Sequence, residues 1–363
     1  MRGSGIKGLL AVLAGLLLVT VAACAPGANP EGNSGDDESG EAEQVVREST
    51  GEEAGGQGAG GEVCNVEPPD IQLENATVGF SQSETENNPF RITETDSIES
   101  AAQERNVELI STNAQSEAPK QISDIQNMLS QGADILIVAP LNEEGLEPAF
   151  DAANQRDVPV FLIDRETAGE PCEDFITFMG SDFVEQGERA AEKLAEITDG
   201  ETRIAELRGV PGASVTNDRG EGFRSAIEGN SDMEIVASQT GNFVRADGQR
   251  VMEQLIQSNP DINAVYAHND EMALGAIQAL KAAGKTPGED VKIVSVDGTE
   301  GATQAIINGE MNATVETNPR FGPLAFDTIE NFLAGEPIPQ KIIVQDRIID
   351  QSNAQEYLEN GAY

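Results

Sequence analysis

Ala264-Val265-Tyr266-Ala267-His268-Asn269-Asp270-Glu271-Met272 and, further on, Lys292-Ile293-Val294-Ser295-Val296-Asp297-Gly298 decide the fold. Each is a short apolar run that stops at an amide or a carboxylate, and the first leads straight into the amphipathic stretch Glu271-Ala283. A continuous apolar run of this length predicts a strand buried on both faces, which parallel sheets achieve by carrying helices above and below. The same unit recurs along the chain. Strands are predicted at Thr77-Phe80, Val107-Ser111, Ile135-Ala139, Val158-Ile163, Ile176-Met179, Arg203-Leu207, Glu234-Ser238, Ala264-Ala267, Lys292-Val296 and Ala313-Glu316. Helical patterns such as Gln121-Leu129, Gln186-Ile197, Asp218-Ile227, Val251-Ile256 and Glu271-Ala283 fall between them. Ten strands exceed one compact sheet of the usual size, so the expected fold is α/β with two doubly wound parallel-sheet lobes.

In open sheets of this kind ligands bind beyond the carboxyl ends of the strands, so the residue after each strand is the place to look for chemistry. Asp164-Arg165, Asn269-Asp270, Asp297-Gly298 and Glu316 all occupy such places, and the helix start Ser214-Arg219 adds to them. A carboxylate accepts from two hydroxyls, a guanidinium donates to two, and an amide does both, a set suited to vicinal diols. Phe90 and Phe243 are candidates for packing on the C–H face of a sugar ring. Taken singly, an Asp after a strand is more often a helix cap than a ligand; the coincidence of several raises the binding reading.

Composition narrows the partners. The 363 residues carry 22 Lys and Arg against 64 Asp and Glu, a formal net charge of -42 that repels nucleic-acid phosphate and anionic lipid. Nucleic acid is excluded as a partner. The acid excess extends through the folded part, and the reading beyond plain solubility is adaptation to high salt, with stability rising from low to molar salt. The single His268 lies in the strand run Tyr266-Ala267-His268 and reads as structural, and there is no His/Cys cluster for zinc. Neither a catalytic residue nor a cofactor nor a metal is expected, although paired carboxylates such as Asp164 and Asp297 leave a sugar hydrolase or isomerase as a rival reading.

The N-terminus reads as an address. Arg2 and Lys7 precede the apolar run Leu9-Val21 and the small residues Ala22 and Ala23, so residues 1–23 are expected to be a secretory signal peptide. Val21-Ala22-Ala23-Cys24 resembles a bacterial lipobox, which makes Cys24 the expected lipidation site and the lipid anchor the only membrane contact. Residues 24–71 are expected to form a tether, acidic and rich in Gly and Glu in its first part, too poor in large apolar side chains to fold. Gly3-Ser4-Gly5-Ile6-Lys7-Gly8 matches the dinucleotide fingerprint but has no strand before it, a chance match. Cys64 and Cys172 then remain in an oxidising compartment, either as a disulfide or as two free thiols.

The stretches Val78-Gly79-Phe80-Ser81-Gln82, Phe161-Leu162-Ile163-Asp164-Arg165, Gly212-Ala213-Ser214 with Asp218-Arg219, Tyr266-Ala267-His268-Asn269-Asp270-Glu271-Met272 and Val296-Asp297-Gly298 recur in one order. In them the chain resembles the periplasmic sugar-binding proteins of ABC importers, of the ribose- and galactose-binding type, with most likeness to the galactofuranose binders. The resemblance runs from about Thr77 to the C-terminus. It implies a type I binding-protein fold with lobes at 72–181 plus 317–344 and 182–316 plus 345–363, joined by a hinge of three crossings near Ser181-Asp182, Glu316-Thr317 and Val344-Gln345. It also implies a monomer that binds a monosaccharide and works with ABC permease and ATPase subunits, or else reports to a membrane receptor or kinase, or takes a non-sugar polyol. The implied ligand set is Phe90, Arg91, Asp164, Arg165, Ser214, Arg219, Phe243, Asn269, Asp297 and Glu316. Two departures stand out: Phe90 precedes Arg91 where the galactofuranose relative has Trp, and Glu316 stands where ribose binders carry an amide.

Overall fold

A computed structural model describes residues 46–48, 62–198 and 201–363. The expected signal peptide, Cys24 and most of the tether lie outside the described residues. The first part of the chain runs β1 (Val46–Glu48), β2 (Val63–Cys64), β3 (Thr77–Gln82), α1 (Pro89–Glu104), β4 (Glu108–Asn113), α2 (Ala118–Gln131), β5 (Ile135–Val138), α3 (Glu147–Asn154), β6 (Val160–Ile163) and β7 (Thr177–Ser181). The middle runs α4 (Phe183–Ile197), β8 (Thr202–Arg208), α5 (Ser214–Ile227), β9 (Met233–Thr240), α6 (Arg245–Ser258), β10 (Ala264–Ala267), α7 (Asp270–Ala282), β11 (Lys292–Asp297), α8 (Glu300–Ile307) and β12 (Ala313–Glu316). The last part adds α9 (Gly322–Leu333), β13 (Ile338–Pro339), β14 (Lys341–Val344), β15 (Ile348–Asp350) and α10 (Ala354–Asn360). All ten predicted strands form, with ends shifted by a residue or two.

Two sheets result, in strand order β1-β14-β7-β6-β5-β3-β4 and β15-β12-β11-β10-β8-β9, with β2 and β13 as a separate ribbon. Pairing within both sheets is parallel except for the edge strands β1 and β15. The apolar runs are buried on both faces, as a parallel strand requires. In the first sheet Leu136, Val138 and Leu162 pack towards α2 and α3, while Ile135, Ile137 and Phe161 pack towards α1 and α9.

The chain passes between the sheets three times. It leaves β7 of the first sheet for α4, which packs on α5 and β11; it leaves β12 of the second for α9, which packs on α1; and it runs from β14 to β15. Asp182 caps α4 by accepting from the Glu185 amide at 2.9 Å. Helices α4 and α5 then meet backbone to backbone, because Gly187 and Gly222 have no side chain to hold them apart. A Cβ at Gly187 would lie 2.3 Å from the Arg219 carbonyl oxygen, and one at Gly222 would lie 2.0 Å from that of Val184. That contact sets where Arg219 stands. Cys64 and Cys172 are joined in a disulfide, Cα atoms 5.2 Å apart.

Candidate functional site

The carboxyl ends of both sheets face one cavity, lined by Glu84, Asn88, Phe90, Arg91, Asp164 and Arg165 from the first lobe and by Val215, Arg219, Phe243, Asn269 and Asp297 from the second. Arg165 is 2% exposed and Asn269 5%, so the lobes enclose the site in this conformation. They also touch around its mouth: the Glu143 amide donates to the Gly212 carbonyl at 2.9 Å, Asn217 donates to Glu143 at 3.0 Å, and the Glu166 amide donates to the Ser214 hydroxyl at 3.1 Å.

On the first-lobe wall, charges are cross-linked. The Arg91 guanidinium reaches Asp164 at 2.6 Å, Glu94 at 2.7 Å and Glu84 at 3.2 Å. Arg165 donates to Glu84 at 3.0 Å and to the Leu141 carbonyl at 3.2 Å, and its Nε is buried with no hydrogen-bond partner. On the second-lobe wall Arg219 donates to Gln186 and Thr317, each at 2.9 Å, and to the His268 carbonyl at 2.6 Å, while Asp297 lies 3.7 Å away. Asn269 caps α7 through its oxygen, accepting from the Met272 amide at 3.0 Å, and donates once to the Phe243 carbonyl at 3.3 Å. One amide hydrogen and one lone pair of Asn269 stay uncommitted.

Burial works against ionising every carboxyl here, and the neighbours decide the outcome. At Glu84 burial is outweighed by Arg165 and Arg91, which hold the carboxyl below its ordinary range. Behind Arg91, burial and the Asp164 charge push Glu94 up to about 7 against the pull of Arg91. Asp297 is driven well above its ordinary range by burial, with Arg219 opposing and Asp270 and Asp164 reinforcing.

Two aromatic rings complete the walls. The Arg165 guanidinium lies 5.6 Å from the centre of the Phe243 ring and that of Arg91 lies 5.0 Å from Phe90. Three lining residues other than glycine, Asp164, Phe243 and Asp297, have positive φ (64°, 60° and 138°), a backbone conformation that persists only where the surroundings enforce it and that gathers at binding sites.

The structure brings eight of the ten expected site residues to the cavity: Phe90, Arg91, Asp164, Arg165, Arg219, Phe243, Asn269 and Asp297. Ser214 stands beside it and is engaged with Glu166 of the other lobe. Glu316 does not line it, because Arg347 grips its carboxylate at 2.7 and 2.9 Å and the Tyr357 hydroxyl donates to it at 3.2 Å. The departure at Glu316 therefore says nothing about the ligand's hydroxyls. Glu84, Asn88 and Val215 line the cavity without having been expected. Glu84 follows the first strand by two residues, so the rule of searching strand tips reaches it once β3 is seen to extend to Gln82. His268 is wholly buried with its Nε2 3.1 Å from Glu206, and burial lowers its pKa. Among the described residues no group of His, Cys, Asp or Glu could hold a metal ion.

Comparison with known proteins agrees with this architecture. Residues 78–337 match the model of the periplasmic binding protein domain. The ribose import binding protein of Bacillus subtilis is 37% identical over 77% of this chain and 91% of its own length. The galactofuranose-binding protein of Escherichia coli is 36% identical over 73% of this chain and 85% of its own. A Mycobacterium smegmatis protein solved in complex with β-D-fucofuranose superposes with a TM-score of 0.75 at 40% identity, covering 78% of this chain and 94% of that one. The chain belongs to the periplasmic binding protein domain family, alongside its ribose- and galactofuranose-binding members.

Proposed function

We propose that this protein is the substrate-binding component of a carbohydrate ABC importer, that it holds one monosaccharide in the cavity between its lobes, and that it delivers the sugar to a membrane permease. The observation that carries this reading is the composition of the enclosed walls: three guanidiniums, three carboxylates and two amides around two phenyl rings. Such walls offer paired donors and acceptors to adjacent hydroxyls and an apolar face to the ring. The Nε of Arg165 supports the reading further: it is buried with no hydrogen-bond partner and only the Asp164 carboxylate at 3.6 Å beside it, so a ligand oxygen would supply the missing acceptor. The relatives named for galactofuranose and solved with fucofuranose favour a sugar in its five-membered ring form. Lipidation of Cys24 would hold the protein at the outer face of the cell membrane, with the acidic segment that follows as its tether.

The test is a thermal-shift screen with D-ribose, L-arabinose, D-galactose, D-fucose and myo-inositol. A ligand at one hundred times its dissociation constant adds about 2.7 kcal/mol to the folded state, so a true sugar raises the melting temperature by several degrees without being consumed. Asp164→Ala is expected to erase that shift, because the sugar hydroxyls lose a charged hydrogen bond in a dry site, a loss of ~2 kcal/mol or more. A panel with no shift, or a shift that survives in Asp164→Ala, contradicts the reading.

A further inference from the structure

Arg219 is the cavity residue whose hydrogen bonds lead away from the ligand space to the places where the chain crosses between lobes. Its Nε donates to Gln186 Oε1 at 2.9 Å and its Nη2 to Thr317 Oγ1 at 2.9 Å. Gln186 lies in the first turn of α4, directly after the first crossing, and is 1% exposed. Its Nε2 donates to Thr317 Oγ1 at 2.9 Å and to Asp346 Oδ2 at 2.6 Å, with the Glu316 carbonyl at 3.2 Å. Thr317 belongs to the second crossing and Asp346 to the third. Asp346 Oδ1 in turn accepts from the Ser181 hydroxyl at 3.0 Å, the last residue before the first crossing.

We infer that Gln186 is a positioning residue that ties Arg219 to the first and third crossings and shares with it Thr317 of the second, so that occupation of the cavity and the setting of the hinge are coupled through this side-chain amide. The inference rests on the binding function proposed above and deepens it. The chemistry is specific to an amide. Gln186 must accept from a guanidinium on one side and donate to a hydroxyl and a carboxyl on the other, and no apolar or purely anionic side chain does both. A sugar hydroxyl held by Arg219 fixes that guanidinium, which fixes the Gln186 amide and with it Thr317 and Asp346.

The surroundings of Asp346 support the same coupling. Burial pushes its carboxyl up to about 8, against the donors Gln186 and Ser181, with Glu316 reinforcing and Arg219 opposing. The other charged groups around it are Asp182, Glu185 and Arg189, which share its pocket, and Arg347, next in the chain. Arg189 also donates to the Asp346 carbonyl at 2.5 Å. An opened hinge returns this carboxyl to water and to its ordinary pKa. The closed form thus holds the proton more tightly, and closure loses stability as pH rises towards 8.

The experiment measures binding of whichever of L-arabinose and D-galactose gives the larger thermal shift, by calorimetry and stopped-flow, on the intact protein. Gln186→Leu replaces no cavity-lining residue and is expected to weaken affinity about tenfold or more, chiefly through faster release. Gln186→Glu, which can accept but not donate, is expected not to restore it. Combined with Arg219→Lys, the loss is expected to be clearly less than additive, as for two members of one network. Asp346→Asn is expected to flatten the decline of affinity between about pH 4 and 8. Full additivity, or affinity within about twofold of wild type in Gln186→Leu, overturns the inference. If Gln186→Leu fails to fold, an unchanged pH profile in Asp346→Asn overturns it instead. If no sugar binds the wild type, the proposed function fails, and the coupling is then read by hydrogen exchange at residues 315–318 and 345–347. Exchange there is expected to quicken in Gln186→Leu, or in Asp346→Asn should that variant not fold, and unchanged exchange overturns the inference.

Discussion

Phe243 shows how tightly single residues define the cavity. Its ring is seated on Gly209, where an added Cβ would lie only 2.0 Å from the ring's Cζ. Gly209→Ala must therefore push the ring away from its seat, and with the backbone of Phe243 held at a φ of 60° the ring has little freedom to turn aside. The expected outcome is a sugar affinity lower by about tenfold or more, from a steric clash worth ~1–3 kcal/mol, with a circular-dichroism spectrum that matches wild type. Unchanged affinity in calorimetry would mean that the ring does not face the sugar. At this scale much of the site was legible. Asp164, Asn269 and Asp297 announce themselves by following an apolar run directly, and a topological rule says what lies there. Glu316 follows the same pattern and misleads, because nothing local reveals that Arg347, 31 positions further along the chain, takes its carboxylate. Glu84 was missed because β3 runs two residues past its predicted end, and its carboxylate is then held by Arg91 and Arg165, which approach from other elements.

Among the elements, the buried parallel strands could be read because few structures besides a strand inside a covered sheet accommodate a short apolar run bounded by polar residues. Helix α1 could not. Its inner face carries Arg91, Glu94 and Thr95, all buried, so the polar residues that serve the site erase the apolar stripe by which a helix is recognised. Strands β13, β14 and β15 have only two to four residues and depend on pairing partners elsewhere in the chain. The disulfide belongs to this scale too. Cys64 pairs β2 with β13, and Cys172 lies in the loop between β6 and β7, so the bond pins the start of the described fold to its first sheet. It closes a loop spanning 108 positions, for which the chain-entropy model gives about 4 to 5 kcal/mol. Replacing both cysteines by Ala is expected to lower the melting temperature by on the order of 10 °C while sugar affinity stays close to wild type, since neither sulfur approaches the cavity. A melting temperature that does not move would assign the bond no part in stability.

For the molecule as a whole, the decisive feature is that neither lobe owns the site. The first lobe presents Arg91, Asp164 and Arg165, the second presents Arg219, Asn269 and Asp297, and the three crossings let one set meet the other. Two parallel sheets follow from the number of strands and their apolar character, so the two-lobed architecture was available from the sequence. The enclosure was not, because it depends on contacts such as Glu143 with Gly212 and Asn217 that join segments with no pattern in common. Pairing within each lobe explains how so many charges are tolerated at a few per cent exposure: each guanidinium meets a carboxylate or carbonyl of its own lobe. The most direct test is calorimetric titration of the sugar found by thermal shift into wild type, Arg165→Ala and Arg219→Ala. One sugar per chain should bind the wild type, and each substitution, one in either lobe, should weaken binding by about a hundredfold or more. Wild-type affinity in either variant would contradict a site shared between the lobes.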